Sequence, residues 1–236
     1  MRILITNDDG INATGLDLLV EKAKKYGDVI VVAPKSERSA TSHAINVRDY
    51  FEFKQLADNY YYVDSTPGDC IRFAYYGLKL DFDIIFSGVN KGFNVGEDIW
   101  YSGTLAAIFE SDSLKKKAIA FSCDRNSFNG FITNFDNVMN FIKENSIFNY
   151  CKLLNVNFPV NPKGIKITRQ GGCNFDTYFD IDGDKAIQMG RPQFENDVNK
   201  LEVDTCCVMN DYISITPLTG DRTNLDAFRN IQKELK

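Results

Sequence analysis

The first ten residues, MRILITNDDG, constrain the fold more than any other stretch of this chain. A short apolar run ends there in an asparagine, two adjacent carboxylates and a glycine, which predicts a buried strand followed by a turn. In open α/β sheets ligands bind at the carboxyl ends of the strands, and Asp8 and Asp9 fall at such an end. Adjacent carboxylates repel each other unless a cation or a proton neutralises them, which indicates a divalent metal. Taken alone, however, the pair fits a turn that caps the next helix better.

The rest of the chain alternates predicted strands with predicted helices. Apolar residues at helical spacing over residues 14–26 precede the run DVIVVA, so the first three elements form a right-handed βαβ unit. The same reasoning predicts later strands at residues 82–86, 118–123, 153–156 and 212–216, and helices at residues 67–77, 102–109, 131–144 and 225–235. We therefore expect an α/β fold with a Rossmann-like, mostly parallel sheet flanked by helices.

No repeat or low-complexity linker divides the chain, so residues 1–236 are expected to form a single domain. Residues 171–211 show no sustained hydrophobic period. This predicts an extended C-terminal β or loop arm, roughly residues 171–236, that serves oligomerisation.

Composition excludes several classes of function. The formal net charge of −5 provides no electrostatic footprint for duplex nucleic acid. No uninterrupted apolar stretch reaches the roughly 18 residues of a membrane span, and the N-terminus lacks the pattern of a secretory leader. The six cysteines have no C-x-x-C spacing and are expected to stay reduced, which together predicts a cytoplasmic protein without a membrane partner. The single histidine, His43, excludes a multi-histidine zinc site.

The first strand-to-helix turn lacks the common nucleotide motifs. Gly10 and Gly15 have the glycine spacing of a P-loop, but Leu16 and Asp17 stand where lysine and serine or threonine belong. The G-x-G-x-x-G fingerprint is absent too. Both observations weaken a nucleoside triphosphatase or a dinucleotide-dependent oxidoreductase as the function.

A polar loop, PKSERSATSH, follows the second predicted strand at the same sheet edge as the two carboxylates. A serine there could complete the oxygen shell of a metal, although such loops are usually only solvated. A Ser-His-Asp arrangement of Ser39 and His43 is less attractive, because no G-x-S-x-G nucleophile elbow surrounds Ser39.

The stretch SGVNKGFNVGEDIWYSGT, residues 87–104, follows the predicted strand at residues 82–86. Its glycines and asparagines predict a long loop whose backbone amides can approach an anion. Ser102 and Thr104 then begin a helix, and a helix N-terminus with free amides favours phosphate. A flexible connector explains Ser102 alone, but it does not explain the whole stretch.

Together these motifs resemble the SurE family of metal-dependent nucleotidases. The matching pieces are MRILITNDDG, VVAPKSERSATSH, STPGDC, SGVNKGFNVGEDIWYSGT, GIKITRQG and YISITPL, and they span the chain in order. The resemblance implies one Mg²⁺ or Mn²⁺ ion per subunit, a Rossmann-like core and assembly into a homodimer or homotetramer. It implies metal ligands at Asp8, Asp9, Ser39 and Asn90, catalytic roles for Asp8 and Asp9, and phosphate or substrate contacts at Asn94, Ser102, Gly103 and Thr104.

Three departures from the family pattern are visible. Ala40 follows Ser39 where the family usually has glycine, and Ser111 follows Glu110 where glycine is also usual. Residues 182–194 lack a tryptophan-containing pattern. If the first glycine needs a positive φ, the loop around Ala40 must shift.

The expected reaction is hydrolysis of nucleoside 5′- and 3′-monophosphates, with short polyphosphate as a further candidate substrate. Asp8 or Asp9 would orient the attacking water. A covalent aspartyl-phosphate mechanism is disfavoured because it normally uses Asp-x-Asp spacing. A mononucleotide-binding stress protein without catalysis is the alternative function.

Overall fold

The computed structural model describes residues 1–175, 177–190 and 192–235. Within these ranges the chain forms six α-helices, namely α1 (Thr14–Ala23), α2 (Pro67–Arg72), α3 (Gly103–Ser113), α4 (Asn129–Glu144), α5 (Asp204–Met209) and α6 (Leu225–Glu234). It also forms thirteen strands: β1 (Arg2–Thr6), β2 (Asp28–Pro34), β3 (Phe53–Ala57), β4 (Tyr60–Val63), β5 (Ile84–Lys91), β6 (Lys117–Cys123), β7 (Leu153–Phe158), β8 (Ile165–Ile167), β9 (Cys173–Phe175), β10 (Tyr178–Asp182), β11 (Lys185–Met189), β12 (Pro192–Phe194) and β13 (Ile213–Leu218). A π-helical turn, Phe73–Gly77, extends α2, and 3₁₀ turns form at Gly96–Trp100 and Ile147–Asn149.

The central sheet has nine strands in the order β3-β4-β2-β1-β5-β6-β7-β13-β8. Neighbouring strands are parallel except in the pairs β3–β4 and β7–β13. The expected α/β fold with a mostly parallel sheet is therefore confirmed. Because β1 lies between β2 and β5, the residues that follow these three strands meet at one edge of the sheet.

Side chains that alternate along β1 fill both faces of the sheet. Ile3 and Ile5 pack with α1 and α4 on one face, and Leu4 packs with α2 and α3 on the other. All three side chains are completely buried. This burial anchors β1 on both sides, so the residues that follow it start from a fixed position.

The fifth strand is longer than the sequence predicts. The prediction ended this strand at residue 86 and excluded its glycines and asparagines from strand structure, whereas β5 continues to Lys91. It stays paired with β6 up to Lys91 and Cys123, and the register shifts between Ser87 and Asn90. The prediction was wrong here because neighbouring strands can hold such residues in a bulge. The glycine-rich loop therefore begins only at Gly92.

The C-terminal part combines core and peripheral elements. β13 enters the main sheet between β7 and β8, and Ile213 and Ile215 are buried there. By contrast, β10 and β11 form a hairpin in which every residue is exposed, and every residue of α6 is exposed too. The boundary of the arm at residue 171 and its use in oligomerisation stay predictions.

Among the helices of the described residues, none combines the length and the apolar character that a bilayer span requires.

Candidate active site

The turn after β1 is closed by its own asparagine. The side chain of Asn7 donates to the carbonyl of Gly10 over 2.9 Å and accepts from the amide of Gly10 over 3.2 Å. The carbonyl of Asp8 accepts a 2.7 Å hydrogen bond from the amide of Arg38. The turn and the polar loop after β2 are thus joined through the backbone, which places Ser39 next to the carboxylate pair.

Asp8 lies against the N-terminus of α3. The Thr104 hydroxyl donates to Oδ1 of Asp8 over 2.6 Å, and the Ser102 hydroxyl caps the helix by accepting from the amide of Leu105. Gly103 allows this close approach, because a Cβ there would lie 2.7 Å from the Cβ of Asp8. Of the phosphate residues proposed from the sequence, Ser102, Gly103 and Thr104 therefore adjoin Asp8.

The carboxylate pair does not cap the following helix. Helix α1 starts at Thr14 after Ala13, and within the described residues no side chain caps its first turn. Asp8 points to α3 instead, through its bond with Thr104. The capped-turn interpretation of Asp8 and Asp9 thus loses its support.

Burial governs the protonation of both carboxylates. Burial raises the pKa of Asp8 to about 6, opposed by the hydrogen bond from Thr104 and reinforced by the charge of Asp9. Burial also raises the pKa of Asp9, and the nearby carboxylate of Glu37 adds to this effect. Such destabilised carboxylates are typical of sites that receive a cation.

Glu37 was missed by the sequence reasoning. Its Oε1 accepts a 2.7 Å hydrogen bond from the hydroxyl of Ser39, and its charge acts on Asp9. The only signal in the sequence is one acidic residue among the hydroxyls of PKSERSATSH, which is not distinctive.

Asn90 lies at the end of β5, beside β6. Its side-chain amide donates to the carbonyl of Gly92 over 2.8 Å, and its own carbonyl accepts from the Cys123 thiol over 3.5 Å. The charge of Asp9 contributes to raising the pKa of Cys123, although burial is the largest cause. Asn90 and Asp9 are therefore both close to Cys123.

Asn94 is buried and attached to β6 and β7. Its amide donates to Oδ1 of Asn157 over 2.8 Å, and its side chain donates to the Ser122 hydroxyl over 2.8 Å. The side chains of Asn155 and Asn157 both donate to its carbonyl. Sequence reasoning missed these two residues, although asparagines two positions apart in the apolar strand LLNVNF indicate polar contacts on one face.

The donor set proposed for a metal fits a hard divalent cation. Within the part of the chain that the structure describes, no three histidine, cysteine, aspartate or glutamate side chains cluster as a metal site. Neutral oxygens must therefore complete any shell around Asp8 and Asp9. The Ser39 hydroxyl and the Asn90 amide supply oxygens, which suit magnesium or manganese better than a thiophilic metal.

A cavity of 790 Å³ opens beside Ser102. His43 lies on its wall and pairs with Oε2 of Glu110 over 3.0 Å, while Arg72 binds the other oxygen of Glu110. Because Ser39 donates to Glu37 and His43 contacts Glu110, the structure does not support a Ser-His-Asp triad at Ser39 and His43.

Comparison with known proteins gives a consistent result. The family model described as survival protein SurE matches residues 3–177. A Clostridium botulinum (Type A) protein named 5′-nucleotidase SurE is 35% identical over an alignment of 260 positions, gaps included. The alignment covers 99% of this chain and 98% of the relative. A Vibrio cholerae serotype O1 protein of the same name is 32% identical over 252 residues, which cover 100% of this chain and 98% of the relative.

Among solved structures, the crystal structure of the SurE protein from Aquifex aeolicus is similar over the whole length of both chains, with a TM-score of 0.84 and 31% identity. The family match covers most of this chain, and the relatives match it from end to end. The chain therefore belongs to the SurE family.

Proposed function

We propose that this protein is a phosphomonoesterase that hydrolyses nucleoside 5′-monophosphates to nucleoside and phosphate. One observation carries the proposal: the buried carboxylate of Asp8 lies against the N-terminus of α3, at the carboxyl end of the central strand. Relatives of similar length are named 5′-nucleotidase. Nucleoside 3′-monophosphates and short polyphosphate are further substrates within the same proposal.

The phosphate binds at the start of α3. The first amides of a helix have no partner within the helix, and the helix dipole favours an anion there. Ser102, Gly103 and Thr104 form this turn, and Asn94 belongs to the glycine-rich loop that precedes it. These groups hold the phosphate and stabilise the charge that develops during its transfer, which is the main requirement in phosphoryl transfer.

Asp8, Asp9, Ser39 and Asn90 hold one Mg²⁺ or Mn²⁺ ion in this proposal. When bound, such a cation neutralises the carboxylates and supplies positive charge for a phosphate oxygen and for a water molecule. Asp8 or Asp9 orients the attacking water and accepts its proton. Direct attack by water is preferred to an aspartyl-phosphate intermediate, because the acids are adjacent and Oδ1 of Asp8 is bonded to Thr104.

A phosphate-release assay tests this function. Purified protein is treated with EDTA, individual metals are returned, and 5′- and 3′-monophosphates are compared with polyphosphate. We expect release from 5′-monophosphates only after Mg²⁺ or Mn²⁺ is returned. Asp8→Asn and Asp9→Asn should each lose most of the activity while remaining folded, and near-normal turnover in either would remove the site assignment.

The alternative is a mononucleotide-binding stress protein without catalysis. It would bind nucleotides in EDTA and release no phosphate with any metal. A phosphoenzyme trapped by acid quench would instead favour the aspartyl-phosphate mechanism.

We also propose a homodimer or homotetramer assembled through the C-terminal arm. The exposed hairpin carries Phe179 and Ile187, and exposed α6 carries Leu225, Phe228 and Ile231. Exposed apolar faces of this kind are typical of interfaces. Light scattering coupled to size exclusion should report twice or four times the 26.7 kDa chain mass, and a monomer would contradict the proposal.

A cytoplasmic location is part of the same proposal. The structure describes Cys70, Cys123, Cys151, Cys206 and Cys207 as free thiols, which suits a reducing compartment.

A further inference from the structure

The 94–104 segment, which runs from Asn94 to Thr104, is held at two places. Its first residue is attached to β7 through Asn155 and Asn157. Its last residue contacts Asp8. Between them lies the 3₁₀ turn Gly96–Trp100, and the Ser42 hydroxyl donates to the carbonyl of Trp100 at its end over 2.6 Å. The start of the turn, at Gly96, is held by a different part of the fold.

That part is Asp204, the first residue of α5, which is completely buried. Its Oδ2 accepts from the amide of Gly96 over 3.0 Å. Its Oδ1 accepts from the amides of Gly171 and Thr205, each over 2.7 Å. The carboxylate thus joins the 94–104 segment to the residue at which the predicted arm begins.

A second contact holds the same glycine. The side-chain amide of Gln170 donates to the carbonyl of Gly96 over 3.0 Å. The amide and the carbonyl of Gly96 are therefore both bonded to groups from the C-terminal third of the chain. Leaving a buried amide without an acceptor is destabilising, so loss of the Asp204 carboxylate favours displacement of Gly96.

Burial raises the pKa of Asp204, and its hydrogen bonds from the three backbone amides oppose this effect. The backbone amides that Asp204 positions are thus the groups that favour its charged form. This carboxylate lies outside the proposed metal and phosphate groups, and its contacts explain why a fully buried acid is present there.

We propose that Asp204 is a positioning residue that fixes Gly96, and with it the phosphate-binding turn of α3, in the place that phosphate binding requires. The inference rests on the proposed function, because it gives the 94–104 segment its role. It also links phosphate binding to Gly171, the first residue of the predicted C-terminal arm, through the hydrogen bond from the Gly171 amide to Asp204.

The first test is Asp204→Asn. The amide oxygen can keep the Gly171 and Thr205 bonds, but the NH₂ group then faces the Gly96 amide as a second donor. We expect the dissociation constant for orthophosphate, measured by calorimetry with MnCl₂ present, to rise about tenfold. Losses of this size are typical when a residue that orients the ligands of a metal site is replaced. Fluorescence of Trp100, the only tryptophan, should change without any ligand because it ends the 3₁₀ turn.

Asp136→Asn is the control for stability. Asp136 lies on α4 and accepts from Nζ of Lys25 over 2.6 Å and from the hydroxyl of Tyr26 over 2.7 Å, and neither contact involves the 94–104 segment. We expect this variant to lose stability and to keep its orthophosphate affinity. Equal losses of affinity in the two variants would mean that Asp204 acts only through general stability, which overturns the proposal.

Two neighbouring glycines provide an independent test. A Cβ on Gly171 would lie 2.5 Å from Cγ1 of Val203 and 3.0 Å from Oδ1 of Asp204, whereas no atom of the described residues lies within 4 Å of a Cβ on Gly172. Gly171→Ala should therefore displace Asp204 and weaken orthophosphate binding, and Gly172→Ala should not.

The outcomes separate this inference from the proposed function. Folded Asp204→Asn with normal orthophosphate affinity, or an unchanged Trp100 signal, overturns the positioning role. A wild-type protein that binds orthophosphate but releases none from any nucleotide overturns the proposed function, while the comparison of the variants still decides the role of Asp204. A wild-type protein that binds no orthophosphate overturns both.

Discussion

The hydroxyl of Thr104 donates a 2.6 Å hydrogen bond to Oδ1 of Asp8, and this contact joins the first turn of α3 to the end of β1. The two residues are 96 positions apart in the chain. Both side chains are buried. The carboxylate proposed to bind the metal and the turn proposed to bind phosphate therefore depend on each other.

Thr104→Val should remove the hydrogen bond to Asp8 with little change in side-chain shape. Because a hydrogen bond to the charged form lowers the pKa of an acid, its loss should raise the pKa of Asp8. We expect kcat/KM to fall about 10- to 100-fold and the acid limb of its pH profile to move to higher pH, since such bonds are worth about 1.5–3 kcal/mol. Thr104→Ser keeps the hydroxyl and should retain the wild-type profile. A valine variant with an unshifted profile would contradict the role of the bond.

Asp8→Asn should stabilise the metal-free protein at neutral pH. The pKa of Asp8 is about 6 in the fold, against an ordinary value of 3.8, so the folded state binds more protons than the unfolded state between these pH values. Stability therefore falls as pH rises through this window, by about 3 kcal/mol in total. Asparagine avoids the loss, so in EDTA the variant should melt several degrees higher than wild type at pH 7.

The same measurement at low pH and with metal provides the controls. At pH 4 the advantage of Asp8→Asn should largely disappear, because Asp8 is protonated in the wild-type fold. Adding MnCl₂ at pH 7 should raise the melting temperature of wild type much more than that of the variant. A variant that is less stable than wild type in EDTA at pH 7 would show that Asp8 is not destabilised by burial.

Gly103→Ala should disturb the site without breaking the helix. Alanine is a better helix residue than glycine, but its Cβ would lie 2.7 Å from the Cβ of Asp8 and 3.0 Å from its Oδ2. We expect a folded protein with most of its phosphate release lost. Gly164→Ala is the matched control, because a Cβ there would meet, among the described residues, only ring atoms of Tyr212 at 3.7 Å. Normal activity in Gly103→Ala would show that Asp8 can move freely.

The sequence predicted the fold well where the signals are local. Apolar runs and helical spacing predicted β1, α1 and β2, because burial on both faces of a parallel sheet leaves a strong pattern. The position of each motif after a predicted strand also indicated that Asp8, Ser102 and Thr104 lie at one edge of the sheet.

The contacts that hold the site could not be predicted, because they join residues far apart in the chain. Asp204 binds Gly96 across 108 positions, and Asn157 binds Asn94 across 63. Neither pairing has a local pattern. The continuation of β5 to Lys91 was missed for a related reason, since pairing with β6 overrides the local preference of glycine and asparagine for loops.

Glu37→Gln should weaken metal binding without removing a ligand. The charge of Glu37 acts on Asp9, and its carboxylate holds the hydroxyl of Ser39. Because Glu37 is exposed, salt screens its charge, and we expect Mn²⁺ affinity to fall about fivefold at low ionic strength and less at high salt. Titration calorimetry at two salt concentrations measures this. Glu21→Gln, on the exposed side of α1, should leave Mn²⁺ affinity unchanged.

Ala40→Gly should stabilise the protein. Ala40 adopts a φ of 57°, in the left-handed region that costs a residue with a Cβ about 1–2 kcal/mol. Glycine removes this cost but loses more conformational entropy on folding, so we expect a net gain of about 0.5–1 kcal/mol in the free energy of unfolding. Ala44→Gly, in the same loop but without a positive φ, should instead lose a similar amount. Urea denaturation of both variants measures the difference, and a loss of stability in Ala40→Gly would mean that the loop takes another conformation in solution.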